Sequence, residues 1–257
     1  MVVHLEMKAS LIKELVKAIE NVNEECVWNF DSQGLHIRMS DIYKYKMLDI
    51  KIDSSDFISY SCDTPVQLGI VIDRIKDVTK TLRTKDILTL HTEHDPSDIA
   101  SDNYISLKSN GLSRSVKLID IKMVGEVPSL TGAELSLSKG FRTAIDSTPV
   151  RNFLKAASKA ISFNVVCENE VLNFTSKTEE GLVEATFTSE DIVLQPVNYV
   201  GDTQYSVKEV DSATSTMKGL TNVRGCNLGD SGDGGLIELE WHVAEKSTIR
   251  ALVAPRV

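Results

Sequence analysis

The sequence predicts an α+β fold built from two similar domains, and three observations lead to this prediction. Alternating apolar and polar residues, which are typical of antiparallel strands, occupy most of the chain. Four helical stretches interrupt them, and the order strand, helix, hairpin, strands, helix, strands occurs twice at an offset of about 130 residues. A segment containing Gly125 and Pro128, which interrupt regular structure, separates the two series. The chain is therefore predicted to be an internal duplication of one α+β unit.

The predicted domains cover residues 1–119 and 132–257, and residues 120–131, here called the connector, join them. The connector keeps four apolar side chains, at Ile121, Met123, Val127 and Leu130. A fully solvated linker gains nothing from apolar side chains. We therefore expect the connector to lie over a surface or to contact a partner.

Two helices are expected in the first domain. Ser10 is a suitable N-cap, and apolar residues recur at helical spacing from Leu11 to Val22. The second helix has an apolar stripe at Ile72, Ile75, Val78 and Leu82. Short alternating runs predict strands at residues 26–30, 35–39, 47–52, 57–60, 66–71, 87–91, 104–108 and 112–119.

The second domain is expected to follow the same order. A helix is predicted at Phe141–Ile145 and is expected to end at Pro149. Helical spacing resumes over Val150–Ala160, and the fourth helical stretch covers Ser206–Leu220. Strands are predicted at residues 134–138, 161–167, 171–175, 182–188, 223–228, 236–243 and 249–253.

Composition excludes several classes of protein. The net charge of −9, from 28 basic and 37 acidic residues, argues against indiscriminate adhesion to nucleic acid or membranes. Any contact with DNA must therefore use a locally basic surface. No apolar run approaches the roughly 20 residues of a membrane span, and the N-terminal residues do not resemble a signal peptide. The four cysteines are scattered without C-x-x-C spacing, which favours buried thiols in a reducing cytosol over disulfides or a zinc site.

No catalytic or metal centre is predicted. The tetrapeptide Gly229-Asp230-Ser231-Gly232 resembles the surroundings of the nucleophile in trypsin-like proteases, but none of the five histidines has the context of a matching base. A turn between strands is the favoured interpretation, and a hydrolase using Ser231 remains the alternative from another class. His91 and His94 lack a convincing third metal ligand. We therefore expect a protein that is not an enzyme and has no cofactor.

Stripes of basic residues are the more informative pattern. Lys76, Lys80 and Arg83 fall on one helical face, and Arg151, Lys155 and Lys159 fall on another. Lys13 and Lys17 form a weaker third pair. Such charges usually mark only the solvated side of a helix. On an acidic chain, however, unmixed stripes favour contacts with phosphates that are independent of base sequence and sensitive to salt.

Several short motifs resemble the DNA sliding clamps of the proliferating cell nuclear antigen type. They are the stretches at residues 10–15, 23–28, 34–35, 60–63, 85–90 and 127–128, and the closing Ala-Leu-Val-Ala-Pro-Arg-Val at residues 251–257. The first half matches that family almost without gaps, whereas the second half matches it more loosely.

The resemblance implies two similar clamp domains per chain and three chains closing head-to-tail into a ring. Helices would line the inner face of the ring, and antiparallel sheets would lie outside. Together with the basic stripes, it gives the expected DNA-facing residues, which are Lys13, Lys17, Lys76, Lys80, Arg83, Arg142, Lys155, Lys159 and Lys218. At the subunit interface, the strand at residues 112–119 would pair with the strand at residues 182–188 of the next chain. Arg114 and Lys117 would then lie opposite Glu180 and Glu184.

The resemblance also implies a groove for short partner peptides that carry an aliphatic and an aromatic anchor. Its residues would be Met39, Tyr45, Met47, Met123, Val124, Val127, Pro128, Val253, Ala254 and Pro255. The chain departs from the family's usual pattern at residues 39–44, so the groove is expected to favour different peptides. Acidic Glu20 and Asp146 also occupy positions that are commonly basic, and Arg142 and the segment 151–159 would compensate.

The implied function is that of a DNA polymerase processivity factor. Its expected partners are duplex DNA, a DNA polymerase, a clamp loader, other proteins bearing clamp-binding peptides, and further copies of itself, but no membrane. A checkpoint-type or divergent subunit of a heteromeric ring is the nearest alternative. The expected location is the nucleoid of an archaeon, the nucleus of a eukaryote, or the interior of a virus-infected cell.

Overall fold

The computed structural model describes residues 2–93, 104–128, 140–168, 171–188, 195–197, 203–227 and 234–256. The strand predicted at residues 134–138, the turn containing Ser231, and His94 lie outside the described residues. Contacts divide the chain into two compact units. The first unit is Met1–Ile42, Leu48–Val127 and Val243–Ile249; the second is Tyr43–Met47, Pro128–His242 and Arg250–Val257. The domain boundaries at residues 119 and 132 stay predictions.

The described residues of the first half of the chain hold nine strands and two helices. They are β1 (Val2–Lys8), α1 (Ala9–Glu20), β2 (Glu25–Asp31), β3 (Gly34–Ser40), β4 (Lys46–Asp53), β5 (Ser59–Cys62), β6 (Val66–Val71), α2 (Ile72–Thr79), β7 (Ile87–Glu93), β8 (Tyr104–Ser109) and β9 (Leu112–Lys117). One-turn 3₁₀ helices occur at Ser54–Asp56 and Ile121–Met123.

The described residues of the second half also hold nine strands and two helices. They are β10 (Gly140–Asp146), α3 (Ser147–Ala156), β11 (Ser162–Glu168), β12 (Val171–Thr178), β13 (Gly181–Phe187), β14 (Gln195–Val197), β15 (Thr203–Ser206), α4 (Val207–Ala213), β16 (Leu220–Asn227), β17 (Gly234–His242) and β18 (Thr248–Val253). Within the described residues, no helix is long and apolar enough to cross a membrane.

The order of strands shows the duplication directly. In the first half, neighbouring strands run β5-β1-β7-β8-β9 and β4-β3-β2-β6. In the second half they run β14-β10-β16-β17-β18 and β13-β12-β11-β15. Adding nine to each strand number of the first half reproduces both orders of the second. The predicted α+β fold of two similar units is therefore confirmed.

The four helices of the described residues all begin with the same backbone hydrogen bond. In each, the N–H of the first helical residue donates to the carbonyl of the residue just before a strand. These bonds run from Ala9 to Asp86, from Ile72 to Glu24 and from Ser147 to Gly219, each at 2.8 Å, and from Val207 to Ile161 at 3.4 Å. Asp86 and Gly219 precede the equivalent strands β7 and β16, and Glu24 and Ile161 precede β2 and β11. The bond satisfies one donor that a helix leaves unpaired at its start.

The helix predicted at Phe141–Ile145 is wrong, because these residues form β10. Phe141, Thr143 and Ile145 are buried while Arg142 is exposed, which is the two-residue period of a strand. The four-residue spacing of Phe141 and Ile145 also fits a helix. Because Thr143 is polar, the sequence did not show the alternation of apolar and polar residues that indicates a strand. β10 pairs with β16 along its length.

Pro149 does not end a helix, which corrects a second prediction. It lies in the first turn of α3, where the missing N–H has no intrahelical acceptor in any case. The helix ends at Ala156 rather than at residue 160.

The remaining helix boundaries also differ from the predictions. α1 begins at Ala9, so Ser10 lies inside it and Lys8 is the N-cap. α2 ends at Thr79. Thr79 is buried, whereas Val78, which belonged to the predicted apolar stripe, is only half-buried. α4 ends at Ala213, and Leu220 already opens β16.

Candidate functional site

A pocket of about 440 Å³ lies in the second unit. Its lining residues are Tyr45, Ser206, Glu209 and Val253–Arg256. Tyr45, Val253, Ala254 and Pro255 belong to the expected peptide groove, and the structure brings these four together.

Backbone hydrogen bonds hold the C-terminal wall of the pocket. The N–H of Ala254 donates to the carbonyl of Tyr45, and the N–H of Arg256 donates to the carbonyl of Gln204, both at 2.8 Å. Pro255, between them, has no N–H to offer. The Arg256 guanidinium also donates through Nη1 to the carbonyl of Ile161 at 3.4 Å. The backbone of the wall is therefore held at every second residue, which is also how a strand is held at the edge of a β-sheet.

An ion pair lies at the side of the pocket. Lys46 Nζ is 2.8 Å from Glu209 Oε2 and donates to Ser212 Oγ at 2.7 Å. The Lys46 side chain is buried and that of Glu209 is partly buried. Ser206 Oγ accepts a hydrogen bond from the Glu209 N–H at 3.3 Å, which places Ser206 as the N-cap of α4. The pocket thus combines an apolar wall with one neutralised charge pair.

The sequence analysis did not assign Ser206, Glu209 or Arg256 to the groove, although it began the fourth helix at Ser206. The spacing Ser206-x-x-Glu209 is that of a capping box and could have indicated the first turn of α4 that lines the pocket. Arg256 belongs to the closing motif at residues 251–257, but its position in that motif does not indicate that it lines a pocket.

The other expected groove residues are placed differently. Met39, in the first unit, and Met47, in the second, are buried in the core. Met123 is exposed in the 3₁₀ turn of the connector, and Val124, Val127 and Pro128 are half-buried.

The connector begins at a fixed point in the first unit. The N–H of Ile119 donates to the carbonyl of Gly69 at 3.0 Å. A Cβ on Gly69 would lie 2.2 Å from the Ile119 carbonyl oxygen, so only glycine permits this approach.

Basic residues of the second helical stretch are paired with acidic residues, which corrects the prediction of an unmixed basic stripe. Lys76 forms an ion pair with Glu20 of α1, and Lys80 Nζ lies 2.9 Å from Asp77 Oδ1. The hydrogen bond with Glu20, and then the Glu20 charge, raise the pKa of Lys76. The hydrogen bond from Lys80 lowers the pKa of Asp77.

The other cations expected in the first unit lie on or near its helices. Lys13 donates to the carbonyl of Leu82, and Lys17 is exposed on α1. Arg83 is exposed beyond the end of α2.

In the second unit, three of the expected cations lie on the helices or just after them. Lys155 is exposed on α3, and Lys218 is exposed after α4. Lys159 follows α3 and pairs with Glu180, a residue expected at the subunit interface. Arg151 donates through Nη1 to the carbonyl of Met217 at 3.0 Å.

Arg142 lies on a strand rather than on a helix. It is directly opposite Arg224 on β16, and Arg224 is opposite Glu238 on β17. The buried Glu238 carboxyl lies 3.6 Å from Arg224 Nη1 and 3.8 Å from Arg250 Nη1. Burial raises the pKa of Glu238, although Arg224 and Arg250 oppose the shift. Arg142 thus belongs to a row of charges across a sheet.

The two strands expected at the subunit interface each end a row of strands. β9 and β13 have β8 and β12 as their only neighbours in the described part of the chain. Leu112 on β9 is 73% exposed and Leu182 on β13 is 57% exposed. Arg114, Lys117 and Glu184 are exposed on the same strands.

Other candidate sites gain no support from the geometry. Among the described residues, no group of three or more His, Cys, Asp and Glu side chains could hold a metal ion. The His91 ring lies across the sheet from His4, with 5.8 Å between centroids. Cys26, Cys62 and Cys167 are free thiols.

Comparisons with known proteins cover nearly the whole chain. Residues 2–126 match the family model described as proliferating cell nuclear antigen, N-terminal domain. The DNA polymerase sliding clamp of Thermococcus gammatolerans is 22% identical over 254 residues, which cover 95% of this chain and 94% of that protein.

Two solved structures share the fold at low identity. The Archaeoglobus fulgidus proliferating cell nuclear antigen bound to the C-terminal region of FEN-1 has a TM-score of 0.81 at 20% identity, covering 99% of this chain and 98% of that one. The PCNA2–PCNA3 complex of Sulfolobus tokodaii gives 0.80 at 17% identity, covering 98% and 99%. Residues 2–126 therefore belong to the proliferating cell nuclear antigen family as its N-terminal domain, and over nearly its whole length the chain is similar to DNA polymerase sliding clamps.

Proposed function

We propose that this chain is a non-catalytic DNA polymerase processivity factor. Copies of it would close into a ring around duplex DNA and tether a polymerase and other replication proteins through the pocket. The edge strands β9 and β13, each of which pairs on one side only within the described residues, carry this proposal. A closed ring cannot thread itself onto DNA without free ends, so a clamp loader is also required.

The duplication supports pairing of these edges between chains. Within the second unit, the Ala254 N–H to Tyr45 carbonyl bond ties the end of β18 to the residue before β4. By the shift of nine, β18 is equivalent to β9, and β4 is equivalent to β13. A contact of the same kind from β9 of one chain to β13 of the next is heterologous, and such contacts produce a ring when the rotation closes. It would also cover Leu112 and Leu182 and remove two exposed edges.

The proposed grip on DNA is weak and independent of sequence. Lys13, Lys17, Lys76 and Lys155 lie on the helices, and Lys80, Arg83, Lys159 and Lys218 follow them. Lys76, Lys80 and Lys159 are already paired with carboxylates, which limits the net charge offered to phosphates. Few net charges on an acidic chain suit a ring that holds DNA by topology and still slides along it.

The proposed partners are proteins with short clamp-binding peptides. The pocket offers the apolar wall Val253–Pro255 and the exposed ring of Tyr45, which fit an aliphatic or aromatic anchor. In the solved A. fulgidus structure, the C-terminal region of another protein, FEN-1, is bound to the proliferating cell nuclear antigen.

The test is the mass of the chain in solution combined with its retention on DNA. We expect wild-type protein to have the mass of three chains, whereas Leu112→Asp and Leu182→Asp each give single chains, because a carboxylate would be buried at the paired edge. Leu220→Asp, at an exposed apolar position on β16, which belongs to a different row of strands from β9 and β13, is the matched control and should leave the mass unchanged. A wild-type chain that stays single at micromolar concentration contradicts a homomeric ring. Assembly only after addition of a second clamp subunit supports the heteromeric alternative.

In the same experiment, trimers loaded onto circular DNA should stay bound until the DNA is cut. For initial binding, Lys17→Gln and Lys155→Gln should each reduce the slope of log affinity against log salt by about 0.9 per lost phosphate contact. Lys51→Gln, at an exposed lysine on β4, is the control. Unchanged slopes for both helix variants contradict the assignment of these lysines to the DNA.

A further inference from the structure

The segment just before β4 exposes several large apolar side chains. Ile42, Tyr43 and Tyr45 are all exposed, and the two tyrosines are exposed by 75% and 57%. The backbone at Lys44 has a φ of +59°, a conformation that few non-glycine residues adopt. Apolar groups concentrated at one exposed place commonly mark a binding surface.

Tyr43 and Tyr45 stack on each other. Their ring centroids are 5.9 Å apart and their planes differ by 26°. Stacking fixes the direction of both rings and lowers the entropy that a ligand must overcome to use them. We call this arrangement the tyrosine pair.

The tyrosine pair is continuous with the pocket. Tyr45 belongs to both, because its side chain lines the pocket and its carbonyl accepts the hydrogen bond from Ala254. Tyr43 therefore stands one ring beyond the pocket edge. A peptide anchored beside Val253–Pro255 would pass over Tyr43 with a residue adjacent to its anchor.

We propose that the tyrosine pair binds an arginine next to the apolar anchor of a partner peptide. This rests on the proposed function, in which the pocket accepts such a peptide. The electron-rich faces of tyrosine attract cations, and the planar guanidinium both stacks and carries charge. Arginine is thus favoured over a neutral aromatic residue.

The net charge of the chain is compatible with the same occupant. Around the pocket, Lys46 neutralises Glu209, and the Arg256 guanidinium donates to the carbonyl of Ile161. The whole chain carries −9, which favours approach of basic segments and disfavours acidic ones.

The test uses synthetic peptides with an apolar–aromatic anchor and one variable flanking residue. Arginine, its uncharged isostere citrulline, and phenylalanine occupy that position in three otherwise identical peptides. Fluorescence anisotropy on the assembled protein measures their affinities. We expect the citrulline peptide to bind about 3- to 10-fold more weakly than the arginine peptide, the range of a partly desolvated cation–π contact. In Tyr43→Leu this difference should vanish, and in Tyr43→Phe it should persist.

Tyr104→Leu, which removes an exposed tyrosine of β8 in the first unit, is the matched control and should keep the wild-type difference. Equal binding of the arginine and citrulline peptides to wild-type protein, or tightest binding of the phenylalanine peptide, overturns the inference while leaving the pocket intact. Ala254→Arg tests the pocket itself, because it should weaken all three peptides. If no peptide binds wild-type protein, both the proposed peptide groove and this inference fail.

Discussion

The two units share one strand order but fix the starts of their helices differently. α1 and α2 follow Lys8 and Val71, neither of which makes a side-chain cap bond. In the second unit, Asp146 accepts from the Thr148 N–H at 2.7 Å, and Ser206 accepts from the Glu209 N–H. The backbone bond common to all four helices comes from the topology, whereas side-chain capping is local. The capped helices are also the shorter members of each pair, 10 residues against 12 and 7 against 8.

The cores of the two units also differ, and again the second unit relies less on helix length. α1 buries seven residues, none of them aromatic, whereas α3 buries four, including Phe153. Phe153 joins a continuous aromatic cluster, whose other members are Phe163, Phe174, Phe187 and Tyr205. Larger side chains thus let a shorter helix remove apolar surface from water. The first unit maintains this fold with longer helices. The second unit maintains it with the aromatic cluster and with side-chain caps at its helix starts.

The largest expected effect breaks the aromatic cluster. Phe174 is buried against Phe153, Phe163 and Phe187. Phe174→Ala should lower the free energy of unfolding of the second unit by about 3–5 kcal/mol, through lost burial and the cavity left behind. Hydrogen exchange in increasing denaturant, followed separately for peptides of each unit, measures this change.

The matched variant is Leu15→Ala, which truncates a fully buried side chain of α1. It should destabilise the first unit by about 2–5 kcal/mol and leave the aromatic cluster protected. If either variant loosens both units equally, the two cores do not act as separate sources of stability.

A smaller effect is expected from the cap of α4. Ser206→Ala removes the hydrogen bond to the Glu209 N–H and should cost about 1 kcal/mol in the second unit. Lys8→Ala at the start of α1 should cost far less, because Lys8 makes no side-chain cap bond. Local hydrogen exchange of the first turn of each helix is the measurement. Equal losses at both helices would show that the caps do not distinguish the units.

Most strands could be predicted because one face of each strand is more buried than the other, so apolar and polar residues alternate in the sequence. Alternation is a local property, and β2, with Cys26, Trp28 and Phe30 buried and the residues between them less so, shows it plainly. β10 failed because a buried threonine stood where an apolar residue was expected, and spacing by four is compatible with both helix and strand. The helix starts were misplaced since α1 is fixed by a carbonyl distant in sequence rather than by Ser10.

The pocket was only partly predictable, because some of its contacts join residues that are distant in sequence. The closing motif and Tyr45 located one wall of the pocket through resemblance. The opposite wall comes from the first turn of α4, and its Lys46–Glu209 ion pair joins residues far apart in the chain. The pairing of Lys76 with Glu20 is equally invisible to a pattern that reads one helix at a time. Tertiary ion pairs depend on packing, which local spacing does not encode.

The smallest expected effect is the pH dependence of the cap of α3. Hydrogen bonds from the Thr148 side chain, and then from its backbone N–H, lower the pKa of Asp146 in the folded protein. Its stabilising contribution is therefore fully present above the unfolded pKa of about 3.9 and is lost as pH falls through the folded pKa. Asp146→Asn keeps an acceptor at the same place but does not titrate. Between pH 7 and about pH 4 wild-type protein should exceed this variant in stability by a constant amount, and the excess should shrink below that pH. Urea unfolding midpoints of both proteins across this range measure the difference. A constant excess down to pH 2 would mean that the Asp146 charge contributes nothing to the cap, and that an uncharged acceptor at this position is sufficient to start α3.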